Sequence, residues 1–184
     1  MKGHITIMKR RILTAVIASV ILGVLAWGVS ADLATGTKAP AVNLPTIDGK
    51  TYTFSPGAKG SPSVTVLDIW ATWCPPCRAE IPQLIALQKK FKGKSVKFVG
   101  IAIDQNKSDV NNFAKQQRIN YTIAWDKNAD KVGESFQVKG IPATYIIDSK
   151  GIIRFAHSGF PRDAASAKAE GAKIEREINS ILNK

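Results

Sequence analysis

The chain reads as an α/β protein with a mixed central sheet flanked by helices. Three observations lead there: strand-like and helix-like stretches alternate along it, two turn signals mark hairpins, and the only two cysteines sit where a strand hands over to a helix. Ala41 to Thr46 and Lys50 to Phe54, joined through Asp48-Gly49, read as an N-terminal hairpin. Val64 to Trp70 is an apolar run rich in β-branched residues, as a buried strand should be. After the cysteines, Leu84, Leu87 and Phe91 recur at helical spacing. Val96 to Ile103 is strand-like, Ser108 to Arg118 helical with Ser108 as the expected N-cap, Tyr121 to Trp125 strand-like, and Ala129 to Phe136 helical. The turn Asp148-Ser149-Lys150-Gly151 separates Ala143–Ile147 from Ile152–Ala156 in a second hairpin. From Arg162 to Leu182, the residues Ile174, Ile178, Ile181 and Leu182 share one face of an amphipathic helix that should cover the sheet.

At 184 residues, 45% hydrophobic and 22% charged, the chain has room for one compact domain and a tail. Residues 1–31 form that tail. Lys2, Lys9, Arg10 and Arg11 precede the apolar run Ile12 to Val29, which is interrupted only by Thr14 and Ser19. As a helix this run would span about 27 Å, close to the ~30 Å hydrocarbon core, so residues 1–31 are expected to be a membrane anchor. A cleaved signal is the alternative, because Val29-Ser30-Ala31 places small residues before Asp32. Either way the remainder is exported: residues 32–39 as a linker, residues 40–184 as the folded domain. The net charge is +12, and without the four N-terminal cations 22 Lys and Arg face 14 Asp and Glu, or +8. These charges are spread over helix faces and turns without clustered stacking aromatics, so no nucleic-acid partner is expected.

Trp73-Cys74-Pro75-Pro76-Cys77 carries the chemistry. Structural zinc is disfavoured because only His4 and His157 could complete four ligands, at the wrong spacing, and haem attachment would need His where Arg78 stands. Pro75 and Pro76 suit a first helical turn, where their missing N–H groups have no partner to lose. At such a helix start the free N–H groups and the helix dipole favour a thiolate at Cys74. Cys74, the more N-terminal and expectedly the more exposed, is the natural attacker, and Cys77 the residue that resolves the mixed disulfide. A static disulfide closing so short a loop would stabilise little. Asp68 lies in the middle of an apolar strand, where burial should raise its pKa and suit it to take the Cys77 proton. Trp73 is expected beside the active site, Trp70 in the core and His157 exposed at a strand end.

The stretches Leu67-Asp68-Ile69-Trp70-Ala71-Thr72-Trp73-Cys74-Pro75-Pro76-Cys77-Arg78-Ala79-Glu80-Ile81-Pro82 and Val138-Lys139-Gly140-Ile141-Pro142-Ala143-Thr144-Tyr145 resemble the exported thioredoxin-fold proteins of the TlpA, ResA and CcmG/DsbE group. The resemblance covers residues 40–184 and implies a thioredoxin-like fold with a central helix-strand insertion from Ser108 to Trp125. It implies that Ile141-Pro142 is a cis bond setting the Ile141 backbone beside the sulfurs, and that Trp73, Pro75, Pro76, Ile141 and Pro142 face the substrate. It matches Asp68 to the buried Asp of thioredoxin, a departure from the neutral residue often found there in this group, and Glu80 to an acid near the active site; a first-turn Glu serving the helix dipole is the plainer reading. The activity implied is a thiol-disulfide oxidoreductase, without cofactor or metal, reducing disulfides of extracytoplasmic proteins such as apocytochrome c or oxidase copper-site proteins. A DsbD/CcdA-type membrane donor would re-reduce it, in the periplasm, at the inner membrane. The alternatives are a DsbA-like oxidase, a peroxidase of the peroxiredoxin class, or a metallochaperone holding Cu(I) on the two thiolates.

Overall fold

A computed structural model of the chain describes residue 33 and residues 35–183; the segment read as anchor or signal lies outside them. Strands β1 (Val42–Pro45) and β2 (Thr51–Phe54) form the expected antiparallel hairpin, with Gly49 at φ +85° in its turn, a conformation that glycine adopts without steric cost. Then follow β3 (Val64–Trp70), α1 (Pro75–Lys90), β4 (Val96–Ala102), α2 (Lys107–Gln117), β5 (Thr122–Trp125), the one-turn α3 (Val132–Ser135), β6 (Ala143–Asp148), β7 (Ile153–Ser158) and α4 (Ala164–Leu182). The main sheet has the order β5-β4-β3-β6-β7, parallel from β5 to β3 and antiparallel from β3 to β7.

The sheet is buried on both faces at β3, every residue of which is buried, as its uninterrupted apolar run requires. Val64 and Val66 face Leu84 and Leu87 of α1, Phe91 just after it, and Ala167, Ile174 and Ile178 of α4. Trp70 on the same face meets Phe113 of α2, with ring centroids 5.6 Å apart. Leu67 and Ile69 look the other way, toward the β1–β2 hairpin and toward Val132 and Phe136 of the α3 segment. Burial of Ile174 and Ile178 alone stabilises the α4 contact by about 1.5–3 kcal/mol each.

Three expectations are corrected. Helix α2 begins at Lys107, so Asn106, not Ser108, precedes its first turn, and Asn106 Nδ2 donates to Asp109 Oδ2 at 3.2 Å. The helix expected from Ala129 to Phe136 is shorter. Asn128 and Ala129 take left-handed φ values of 55° and 59°, and α3 starts where the Asp126 carboxylate accepts the N–H groups of Lys131 and Val132 at 2.9 and 2.8 Å. Within the stretch read as a linker, the Gly36 N–H donates to Ile153 O and the Ala39 N–H to Gly151 O, so the ordered chain begins before Pro40. Among the described residues no helix is long and apolar enough to cross a membrane.

Gly100 of β4 lies against Trp70, whose Nε1 would be 2.7 Å from an added Cβ, whereas Gly140 has open space around it and an ordinary φ. Gly100→Ala should therefore cost about 1–3 kcal/mol in denaturant unfolding, and Gly140→Ala should leave stability unchanged or slightly raised.

Candidate active site

The site grows from the junction of β3 and α1. Pro75 and Pro76 occupy the first two helical positions, and Cys74 is the N-cap, with the Cys77 N–H donating to Cys74 Sγ at 3.3 Å. The two cysteines are joined in a disulfide with Cα atoms 5.3 Å apart. The loop ahead of them is held from β4's end: the Asp104 carboxylate, itself buried, accepts the Thr72 N–H at 3.1 Å, and Trp125 Nε1 donates to Asp104 O at 2.8 Å. Opposite, Ile141-Pro142 is a cis peptide, and the Ile141 carbonyl oxygen lies 3.6 Å from Cys74 Sγ.

Exposure is graded around this centre. Trp73 is 65% exposed, the one large hydrophobic side chain so placed among the described residues. Pro75 is exposed, Pro76 and Ile141 are half-buried, and Pro142 is buried. Cys74 is 3% exposed against 0% for Cys77, so the expected order holds by a narrow margin in the disulfide form. Trp70 is fully buried.

Beneath the disulfide lies a polar layer. Asp68 and Glu80 are each only 1% exposed. Glu80, one turn beyond Cys77, is not a solvated helix-dipole residue: its Oε1 accepts the Thr144 hydroxyl at 2.6 Å. Thr144 stands directly across from Asp68 in the β3–β6 register, so these two side chains share one face of the sheet, and Glu80 reaches Thr144 from α1. Five buried side-chain atoms have no hydrogen-bond partner among the described protein atoms: both Asp68 oxygens, Glu80 Oε2, Trp70 Nε1 and the Tyr121 hydroxyl. Burial, and next the Glu80 carboxyl, push Asp68 well above the usual carboxylate range. Burial lifts Glu80 to about 7, opposed by the Thr144 hydrogen bond and reinforced by Glu170. Burial raises Tyr121 as well, with Asp68 and then Glu80 adding to it.

His157 departs from the exposed position expected of it. It follows Thr144 in the register of β6 and β7, and its ring lies between Glu170 of α4 (Nδ1–Oε1 3.2 Å) and Glu177 (Nε2–Oε2 2.7 Å). Thr144, Tyr121 and Asp104 were not singled out by the sequence reading. Thr144 alone carried a signal there, as a polar residue inside the apolar run of β6, much as Asp68 is in β3.

A family model, the AhpC/TSA family, matches residues 35–156. The thioredoxin-like protein YneN of Bacillus subtilis is 29% identical over 163 residues, covering 83% of this chain and 92% of that protein. Thiol-disulfide oxidoreductase ResA of the same organism is 30% identical over 120 residues, covering 65% of each. Among solved structures, a candidate thiol:disulfide interchange protein DsbE from Chlorobium tepidum is 31% identical with a TM-score of 0.71, covering 82% of this chain and 99% of that one. The thioredoxin-like α/β architecture is shared with it.

Raised carboxyl pKa values make stability depend on pH. Unfolded, Glu80 loses its proton near 4.5; folded, near 7; between these values the folded state holds the extra proton, so stability falls as pH rises from 4.5 to 7 and Glu80 contributes no further fall above that. Asp68 adds to the decline from its ordinary value of 3.8 upward. Denaturant midpoints of the oxidised protein should drop across this window, and Glu80→Gln should remove a share on the order of 3 kcal/mol. An unchanged slope in that variant would contradict the burial assigned to Glu80.

Proposed function

Because this chain belongs to the AhpC/TSA family, with thiol-disulfide oxidoreductases among its relatives, we propose that it is an exported protein-disulfide reductase working through Cys74 and Cys77. The observation that carries this reading is the Cys77 N–H directed onto Cys74 Sγ at the start of α1, with the Ile141 carbonyl on the other side. A thiolate at Cys74 would keep that hydrogen bond and gain the helix dipole, which is what a nucleophile active near neutral pH requires.

In the reduced protein Cys74 S⁻ attacks one sulfur of a substrate disulfide, and the other sulfur leaves as a thiolate that takes a proton from water. Cys77 S–H gives its proton to Asp68, and the resulting thiolate attacks Cys74 Sγ. The mixed disulfide breaks, the second substrate sulfur leaves as a thiolate that takes a proton from water, the Cys74–Cys77 bond forms, and two electrons have passed to the substrate. Trp73, Pro75, Pro76 and the backbone at Ile141-Pro142 form the surface against which an extended substrate strand lies. The basic N-terminus and the apolar run Ile12 to Val29 support export and tethering to the inner membrane, so that the domain acts in the periplasm. There an oxidising compartment demands a continual electron supply, here a DsbD/CcdA-type membrane donor. The substrates proposed are apocytochrome c cysteines or thiols at an oxidase copper site.

Cys77→Ser should accumulate mixed disulfides through Cys74, seen as reductant-sensitive adducts on non-reducing gels of the exported fraction, and Cys74→Ser should accumulate none. Absence of adducts in the Cys77→Ser protein would overturn the scheme.

A further inference from the structure

The hydrogen bonds of the buried layer have a direction, and that direction says where protons reside. Thr144 has one hydroxyl proton, and it is donated to Glu80 Oε1. Toward Asp68, which faces it across the sheet with Cβ atoms of such a pair about 5 Å apart, Thr144 can therefore only accept. Only a protonated Asp68 can donate. A carboxylic acid on one side of the hydroxyl and a carboxylate on the other is the arrangement that leaves the fewest lone pairs opposed. It also removes the repulsion of two buried negative charges.

We propose that Asp68 and Glu80 hold one proton between them across the Thr144 hydroxyl, and that this hydroxyl is a positioning residue which lets Asp68 pass its proton inward to Glu80 when Cys77 must be deprotonated. The proposal rests on the reductase reading above. Asp68 closes on Thr144 by a side-chain rotation and gives its proton to Thr144 Oγ1 as Thr144 gives its own to Glu80. Asp68, now a carboxylate, takes the Cys77 proton, and Cys77 S⁻ attacks Cys74 Sγ, breaking its bond to the substrate sulfur, which leaves as a thiolate. The pair ends with two protons and the active site with a disulfide, so no proton need cross the protein in the resolving step. The hydroxyl removes the paradox of a base that burial keeps protonated: the charge waits on Glu80, whose Oε1 accepts the Thr144 hydroxyl, and moves to Asp68 on demand.

The other titratable groups facing the pair are consistent with one negative charge. The Tyr121 phenol faces it from the segment before β5 and stays neutral. Glu170 of α4 acts on Glu80 but is itself engaged by His157 and by Lys173, at 2.9 Å, and Glu177 holds the other side of His157. His157 thus contacts both of these α4 carboxylates.

The test uses the full-length protein with oxidised glutathione as the probe disulfide, and follows glutathione release from the Cys74 adduct as a function of pH. Wild type should accelerate through about pH 7, as Glu80 ionises. Thr144→Val should move that midpoint upward by about one unit or more and slow release about tenfold or more at pH 7, whereas Thr144→Ser should restore both. A structural role alone would lower the melting temperature without displacing the midpoint. A Val variant with the wild-type midpoint, or a Ser variant no better than Val, overturns the relay. Should Thr144→Val not fold, Glu80→Gln serves in its place: the rise near pH 7 must vanish, and its persistence overturns the relay equally. Infrared titration of the oxidised protein judges the pair without reference to catalysis. One protonated carboxyl stretch should persist at pH 8 and be lost in Asp68→Asn, and its absence in wild type would contradict the shared proton. A wild-type protein inert toward disulfides but showing that stretch would remove the reductase reading and the relay's purpose while leaving the shared proton in place.

Discussion

The antiparallel register of β6 on β3 is the constraint from which the site follows. Pairing Ile69 with Ala143 and Asp68 with Thr144 brings the Ile141-Pro142 peptide to the end of β3, where the chain turns through Trp73 to Cys74. The same register puts a hydroxyl opposite the buried aspartate and within reach of Glu80 on α1. A slip of one residue would turn Thr144 and Ile146 to the opposite face, separating the upper, substrate-facing half of the site from the acids below it. The apolar cluster of Val64, Val66, Ile146, Ile174 and Ile178 resists such a slip, which would take Ile146 out of it.

The helix α1 ties the two levels together because its first turns present Cys77 and Glu80 on the inward face, three residues apart. Its N-terminus supplies an N–H to Cys74 sulfur, and its second turn supplies a carboxyl to the polar layer. The acids are buried at a cost, since a lone ionised carboxylate in such surroundings is strongly disfavoured. Burial raises the pKa of both carboxyls, which favours their neutral forms and lessens that cost. Of the residues with orphan polar atoms, Asp68 pairs with Gly100 in the β3–β4 register, and the Trp70 and Tyr121 side chains lie against the space that Gly100 leaves. Such concentrations of unsatisfied polar groups are uncommon outside functional sites.

Much of this was legible in the sequence, and what was not has identifiable causes. The β3 run, the prolines at the start of α1, and both hairpins carried local signals strong enough to locate them, and tertiary packing did not override them. Asp68 stood out because a charge in the middle of an apolar strand is costly wherever the strand lies. Glu80 was ambiguous, since three residues past Cys77, near the start of a helix, both a solvated acid and a buried one satisfy the local pattern. Only the packing of α1 on β6 separates them. Thr144 and His157 gain their meaning from cross-strand register, which spacing along the chain does not encode. The helix expected at Ala129 failed because Asn128 and Ala129 adopt left-handed backbone that the Asp126 cap stabilises from outside the segment.

The account stands or falls on whether this couple gives electrons. The most direct measurement is the equilibrium reduction potential of Cys74–Cys77 in the protein, by titration against a thiol redox buffer with tryptophan fluorescence, Trp73 and Trp70 flanking the couple. The account predicts a value toward the thioredoxin end, about −270 mV; a value near about −120 mV would mark a strongly oxidising couple and contradict the assignment as a reductase.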